Sequence, residues 1–520
     1  MSAIVTDQFR ILNANNFVDS VLNTANSYYV FVGLPNPSSD GFGRSDNWNP
    51  VNSGDLDIPD PIDNSQYLNH YRDTAIFGKR VTSSNIRRII RRIDWTANVK
   101  YEMYRHDYSI LNQSPISNSS RLYDTSYYVM NSDYKVYICI DNGSSGANLK
   151  GNGSKDEPTF TDLEPSAAGV SGDGYLWKYL FTVSPSDIIK FDSTEYIAVP
   201  NDWGTTSDSQ IVSVRENGDS SVNYNQIKKV YIANGGKDYS PGEVNILGDG
   251  SGGKVLIEVD STGSIISTTV TSGGSGYTYG IVDLGSVQPA GSLPNPAKLI
   301  PIIPPSKGHG YDLYSELGTD KILIYARFDD STKDFPTDTK FSQIGILKNP
   351  TSYSSTSVFT QNQYSSLYSI KLTSSFSGSP DIGKEISQIV TGGKARGYVA
   401  SYDSTTKVLK YFRDRSLYFG TTGYIDETDY ISSDTRIPEV LEFESSTNTI
   451  GPFSGPIDTT FNSDKVTVRT KVIDLGVTFT GGLANPEINK ESGDVIYIDN
   501  RPLVSRSSRQ KEDIKIILEF

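Results

Sequence analysis

The chain has 520 residues, material for about three or four domains and a sizeable core. Hydrophobic residues are 36% and charged residues 21%, which excludes a helical membrane protein and a charge-rich disordered chain. The 47 Lys and Arg stand against 61 Asp and Glu, a formal charge of −14, so no nucleic-acid partner is expected.

A single cysteine, Cys139, forbids an internal disulfide, and 3 histidines leave little material for zinc sites or general acid–base work. No apolar run is long enough to span a bilayer, so no membrane contact is expected. The opening MSAIVTDQFR lacks the basic-then-apolar pattern of a secretory leader. The 45 Gly and 25 Pro point to many turns, and the 33 Tyr suit strands and partly exposed interfaces.

Phe9, Leu12, Asn13, Asn16, Phe17 and Val21 fall near helical spacing, which predicts an opening helix that ends in the small polar residues of 19–26. SYYVFVGL, residues 27–34, reads as a buried strand, and residues 35–63 read as a loop. SNIRRIIRRID, residues 84–94, places Ile86, Ile89, Ile90 and Ile93 on one helical face and Arg87, Arg88, Arg91 and Arg92 on the other. Beyond Trp95 the pattern becomes strand-like at 127–130, 135–140 and 174–183, with a polar loop between Asp141 and Asp173.

The middle of the chain holds a repeat. Residues 230–239 and 268–277 are each a strand followed by Gly-Gly-x-x-Tyr, and each leads into a second strand, at 244–247 and 281–284. Two copies predict a small β module of paired hairpins. Residues 386–390, 397–402 and 408–412 predict a second strand module. At the end, Ile514, Ile516, Leu518 and Phe520 alternate with Lys515, Ile517 and Glu519, which places Phe520 on a core face. The expected fold class is mainly β, multidomain, with few short helices.

Candidate chemistry is sparse. Gly248, Gly250 and Gly253 match G-x-G-x-x-G, but KVLIEV follows where a dinucleotide loop needs a helix, so a hairpin turn is expected and no cofactor. Asp55, Asp57, Asp60 and Asp63 have a spacing that can ligate Ca²⁺, but Pro59 and Pro61 stiffen the segment and no glycine supplies the sharp turn. They read as a solvated loop, and no metal site is expected. His70, His106 and His309 show no ligand spacing, and no G-x-S-x-G elbow is present. No catalytic residue is assigned. The four arginines near position 90 can grip phosphate, pair within the surface, or contact an acidic partner protein. The last reading makes Arg87, Arg88, Arg91 and Arg92 interface candidates, together with Phe42 and Arg44 in the run GFGRS.

Several runs, taken in order, resemble the baseplate wedge subunit of T-even-type contractile-tailed bacteriophages. They are GRSDNW at 43–48, RRIDW at 91–95, GDGYLWKYLF at 172–181 and EYIAVP at 195–200. FSQIGI at 341–346, ending in Asn349 and Pro350, follows, then SGDVIYIDNRP at 492–502 and the terminal strand from Glu512. The resemblance covers roughly residues 1–205, 320–350 and 485–520. It implies a core at 1–205, 311–350 and 481–520, with two inserted β modules at 206–310 and 351–480.

The resemblance further implies a β-sandwich-rich fold, self-association as a dimer, partners among the other wedge proteins, and no catalytic residues. It places the chain in the virion, at the tail baseplate, assembled in the host cytoplasm. A host-surface glycan-binding protein acting through the Tyr-rich modules is the rival reading. A carboxylate glycosidase is the third.

Overall fold

A computed structural model describes residues 6–34, 72, 74–219, 224–288, 295–329, 340–375, 384–391, 393–413, 442–453, 455–505 and 510–520. Strands far outweigh helices and are gathered into several sheets, so this is a mainly-β multidomain protein. It divides into two compact units. One comprises Met1–Val18, Arg87–Leu323 and Ile517–Phe520, the other Asp19–Ile86 and Ile324–Ile516.

The first unit is built on an antiparallel sheet in the order Tyr128–Met130, Lys135–Asn142, Tyr175–Thr182. Its strands are apolar almost without alternation because neighbouring residues on both faces are covered: Val136 to Ile140 are all buried, as are Trp177, Tyr179, Leu180 and Phe181. Cys139 lies opposite Trp177, and its Sγ is 3.4 Å from the Asp141 carbonyl oxygen. Tyrosines enter this core with their hydroxyls paired. Tyr175 donates to the Asn152 carbonyl at 2.8 Å and accepts from the Tyr101 N–H at 2.9 Å. Tyr137 donates to the Phe160 carbonyl at 2.6 Å.

The opening helix spans Asp7–Leu22. Its buried face is Ile11, Ala14, Val18 and Val21, whereas Phe9 and Leu12 are exposed. The sequence carries two overlapping apolar stripes. The one that turns inward holds Ala14, which lets the helix backbone approach closely.

Residues 86–91 correct the helical reading: they form a strand, Ile86–Arg91. It pairs antiparallel with Tyr196–Val199, with Arg88 opposite Val199 and Arg91 opposite Tyr196. The string IRRIIR has the spacing of a helix and lacks the strict alternation of a strand; as a strand it puts Arg88 on the buried face with Ile86 and Ile90. Isoleucine favours the strand, since its branched Cβ loses freedom in a helix and packs well on a pleated sheet.

The Gly-Gly-x-x-Tyr region is built of paired strands, as predicted, and belongs to the first unit. Val230–Asn234 pairs with Lys298–Pro301, and a four-stranded sheet runs in the order Ile265–Ser275, Ser251–Val259, Gly242–Gly248, Gly280–Val282. Asp249 and Gly250 form the turn of a hairpin, as expected for the G-x-G-x-x-G match. The repeat itself has one structural meaning in both copies. Gly236 and Gly274 take positive φ, 63° and 60°. A Cβ on Gly236 would stand 2.7 Å from the Tyr239 ring, and one on Gly274 would stand 2.8 Å from the Tyr277 ring. Each tyrosine is buried, and each hydroxyl accepts a backbone N–H, from Ala297 at 2.9 Å and from Gly253 at 3.0 Å. The second glycine therefore supplies both the left-handed turn and the space for the ring.

The second unit holds a five-stranded antiparallel sheet in the order Gln363–Ser365, Ala75–Val81, Tyr28–Gly33, Lys340–Lys348, Asp494–Ser505. The predicted strand at 27–34 is its centre and is buried along its whole length. Phe31 lies opposite both Gly78 and Gly345, and a Cβ on Gly345 would collide with the Phe31 ring. A further sheet runs Glu385–Val390, Gly393–Asp403, Val408–Phe412, Tyr368–Lys371, Leu483–Ala484 and contains the three strands predicted there.

The last strand is Glu512–Glu519. Ile514 and Ile516 are buried and Ile517 is exposed, as the alternation requires. Phe520 rests against Phe17, with ring centroids 5.7 Å apart, and its N–H donates to the Asp320 carbonyl at 3.1 Å.

Candidate functional site

The first unit carries a cleft of about 420 Å³. Ile89 and Ile90 of the Ile86–Arg91 strand line it, beside Tyr196 of the paired strand. The turn Leu122–Asp124 and the end of the helix Leu313–Leu317 complete it. That helix stops at Gly318, whose φ of 66° and ψ of 51° are left-handed, and the Tyr123 ring occupies the space that a Cβ would need. The Tyr123 hydroxyl donates to the Ser315 carbonyl at 2.7 Å and ties the turn to the helix.

The lining is densely charged and of mixed sign. Arg10, Arg91, Arg92, Arg121 and Lys321 face Asp124, Glu195, Asp320 and Glu519. Arg92 is held on two sides, its Nε 3.0 Å from Asp94 and its Nη1 2.8 Å from Asp192. Arg121 pairs with Asp7, and with Asp124 at 3.6 Å. Lys321 sits 3.1 Å from both Asp320 and Glu519. Burial works against its charge, but those two carboxylates outweigh it and hold the ammonium above its ordinary range. Arg91 differs. Its Nη2 donates to the Thr125 and Asp124 carbonyls at 2.9 and 3.3 Å, and among the described residues no carboxylate pairs with it.

The strand therefore separates the four arginines that a helix would have placed together. Arg91 and Arg92 reach the cleft. Arg87 instead pairs with Asp187 at 2.9 Å, both largely buried, with its guanidinium 5.2 Å from the centre of the Phe191 ring. Arg88 is only 2% exposed. Its Nε donates to the Asn15 Oδ1 at 2.6 Å, its Nη1 to the Asn201 Oδ1 at 3.3 Å, and its guanidinium lies over Tyr314. Arg87 and Arg88 brace the interior, which corrects the expectation that they face outward. Phe42 and Arg44, like Asp55, Asp57, Asp60, Asp63 and His70, lie outside the described residues.

Two further polar centres were not singled out by the sequence as sites. His309, expected in a turn, is buried. Its Nδ1 is 2.5 Å from the Glu316 Oε1, while the Glu316 Oε2 accepts from the Gly310 N–H at 2.7 Å. The pair locks the segment before the helix Leu313–Leu317 to that helix. Lys178 is also buried and donates to the Leu163 carbonyl at 2.5 Å. Burial pushes its ammonium down to about 8, with Glu164 and Glu316 opposing the shift. The cavity beside Lys178 and His309 measures only about 20 Å³, room for about one water. His106 accepts the Ile303 N–H at 3.1 Å, and burial lowers its basicity. Among the described residues no group of three or more His, Cys, Asp or Glu could hold a metal, and no helix is long and apolar enough to cross a membrane.

The two tyrosines of the repeat are buried, at 5% and 0% exposure, whereas Tyr224 and Tyr279 of the same region are exposed.

No protein-family model matches the chain. It is 27% identical over 224 residues to the baseplate wedge protein gp8 of Enterobacteria phage T4, an alignment that spans 38% of this chain and 60% of that protein. The similarity is distant and supports a phage baseplate-related family.

Proposed function

We propose that the chain is a structural virion protein, a baseplate wedge subunit of a contractile phage tail. In this reading it contributes to wedge assembly and to baseplate rearrangement on host contact, associates with other baseplate proteins and with a second copy of itself, and performs no catalytic step. The observation that carries the reading is the similarity to the T4 baseplate wedge protein. The mainly-β fold is compatible with it, and the mixed-charge cleft has the polar, arginine-rich character of a surface that takes a protein partner. Rearrangement would proceed by rigid units exchanging one packed arrangement for another.

Antibody labelling of intact and contracted particles by electron microscopy tests the reading. Label at the tail end is expected, with a changed pattern after contraction. Label on fibres, or none on particles permeable to the antibody, would overturn it.

A further inference from the structure

We infer that the cleft between the Ile86–Arg91 strand and the helix Leu313–Leu317 docks an extended, carboxylate-bearing segment of a partner protein, with Arg91 as its anchor. The inference rests on the proposed assembly role and names the chemistry of one partner.

Arg91 is placed for this by what it lacks as much as by what it touches. It is exposed, lies in a cleft of about 420 Å³, and is held by two neutral carbonyls, those of Thr125 and Asp124. Carbonyls fix the pose of a guanidinium without cancelling its charge. Both contacts fall on Nη2, and the neighbouring Tyr128 hydroxyl is neutral too, so the guanidinium keeps its charge for an incoming acceptor. Arg92 and Arg121, on the same cleft, are already paired with carboxylates of this chain and have less to offer. A pre-positioned guanidinium facing a partner carboxylate makes a charge-assisted, two-point contact.

The other lining groups select among anions. Asp124, Glu195, Asp320 and Glu519 would repel a multiply charged phosphate or a nucleic-acid backbone. One peptide carboxylate needs only one cation, and Arg91, which no carboxylate of the described residues pairs, can supply it, while the backbone N–H groups of an extended segment can donate to the surrounding carboxylates. Tyr196, half-buried above the core residues Ile90 and Leu317, supplies apolar surface for the rest of the segment.

The test uses the full chain to select from displayed random-sequence short peptides, in parallel with Arg91→Gln. Peptides enriched in Asp and Glu are expected with the unaltered chain, and the enrichment should vanish with Arg91→Gln, whose affinity for the best peptide should fall about tenfold. A second readout needs no altered protein: changing the carboxylates of the selected peptide to amides should remove binding, and binding that survives this change would overturn the inference. The inference also falls if the unaltered chain selects no acidic peptides, or if Arg91→Gln selects the same ones. Displacement of the peptide by inorganic phosphate at comparable concentration would overturn it too, in favour of a small-anion site. Tail-end antibody label combined with a failed selection would sink the docking inference and leave the baseplate reading standing. Successful selection without the label would do the reverse.

Discussion

The guanidinium of Arg88 lies 4.0 Å from the centre of the Tyr314 ring, and the Tyr314 hydroxyl in turn donates to the Pro200 carbonyl at 2.8 Å. A cation set among apolar strands is thereby satisfied by a ring face and two asparagine oxygens, which the planar guanidinium fork meets together. Arg88→Ala should destabilise the chain by about 2–4 kcal/mol, because it removes the stacking and the guanidinium hydrogen bonds to the Asn15 and Asn201 oxygens, of which Asn201 keeps the backbone N–H of residue 88. Arg91→Ala, at an exposed position, should stay within about 0.5 kcal/mol. Urea unfolding of the two variants checks this, and equal losses would contradict the placement of Arg88.

The repeat glycines make a second comparison. Gly236→Ala and Gly274→Ala combine positive φ with a Cβ thrust at a buried tyrosine ring, and each should lose about 2 kcal/mol or more. Gly172 also has positive φ, 65°, but nothing lies within 4 Å of its Cβ position. Gly172→Ala should therefore lose only about 1 kcal/mol. Thermal melts of the three variants separate backbone strain from collision.

Tyr277→Phe keeps the ring and deletes one hydroxyl. That hydroxyl accepts from the Gly253 N–H and donates to the Ile246 carbonyl at 2.9 Å. Two buried backbone groups would lose their partner, a loss of about 1–3 kcal/mol in denaturant unfolding. A neutral result would mean that water replaces the hydroxyl.

Lys178 gives a pH-dependent test. Its ammonium falls from 10.5 to about 8 on folding, with burial as the main cause. Below about pH 8 both states hold the proton and the burial penalty is fully present. Between about 8 and 10.5 the folded chain has released the proton while the unfolded chain keeps it, so this group's contribution to stability rises with pH by up to about 1.4 kcal/mol per unit. The stability of Lys178→Met relative to the unaltered chain should therefore be greatest near neutrality and shrink toward about pH 10. A difference independent of pH would mean that Lys178 titrates alike in both states.

The particular residues show how far the sequence could be read. The strands at 27–34, 386–412 and 512–519 were legible because β-branched and aromatic residues alternate or cluster between turn residues, and burial follows that pattern directly. Residues 86–91 were not, since IRRIIR has helical spacing and no strict alternation, and the pairing with Tyr196–Val199 overrides that pattern. The repeat announced itself, but its purpose, a ring lying against a left-handed glycine, needs coordinates. Of the cleft, Arg91 and Arg92 were visible as candidates. Arg10, Arg121 and Lys321 come from distant parts of the chain, with no local signal to link them. The buried His309–Glu316 pair has a similar lesson: seven residues apart in sequence, the two meet only because a turn folds one back onto the other.

Cys139 offers an experimental handle of a different kind. The chain has one thiol, it is wholly buried opposite Trp177, and burial pushes its ionisation well up. A thiol-reactive label can reach it only when the central sheet of the first unit opens. The rate of alkylation thus becomes a clock for that opening, and it can be read at a single atom of the purified chain without altering the sequence.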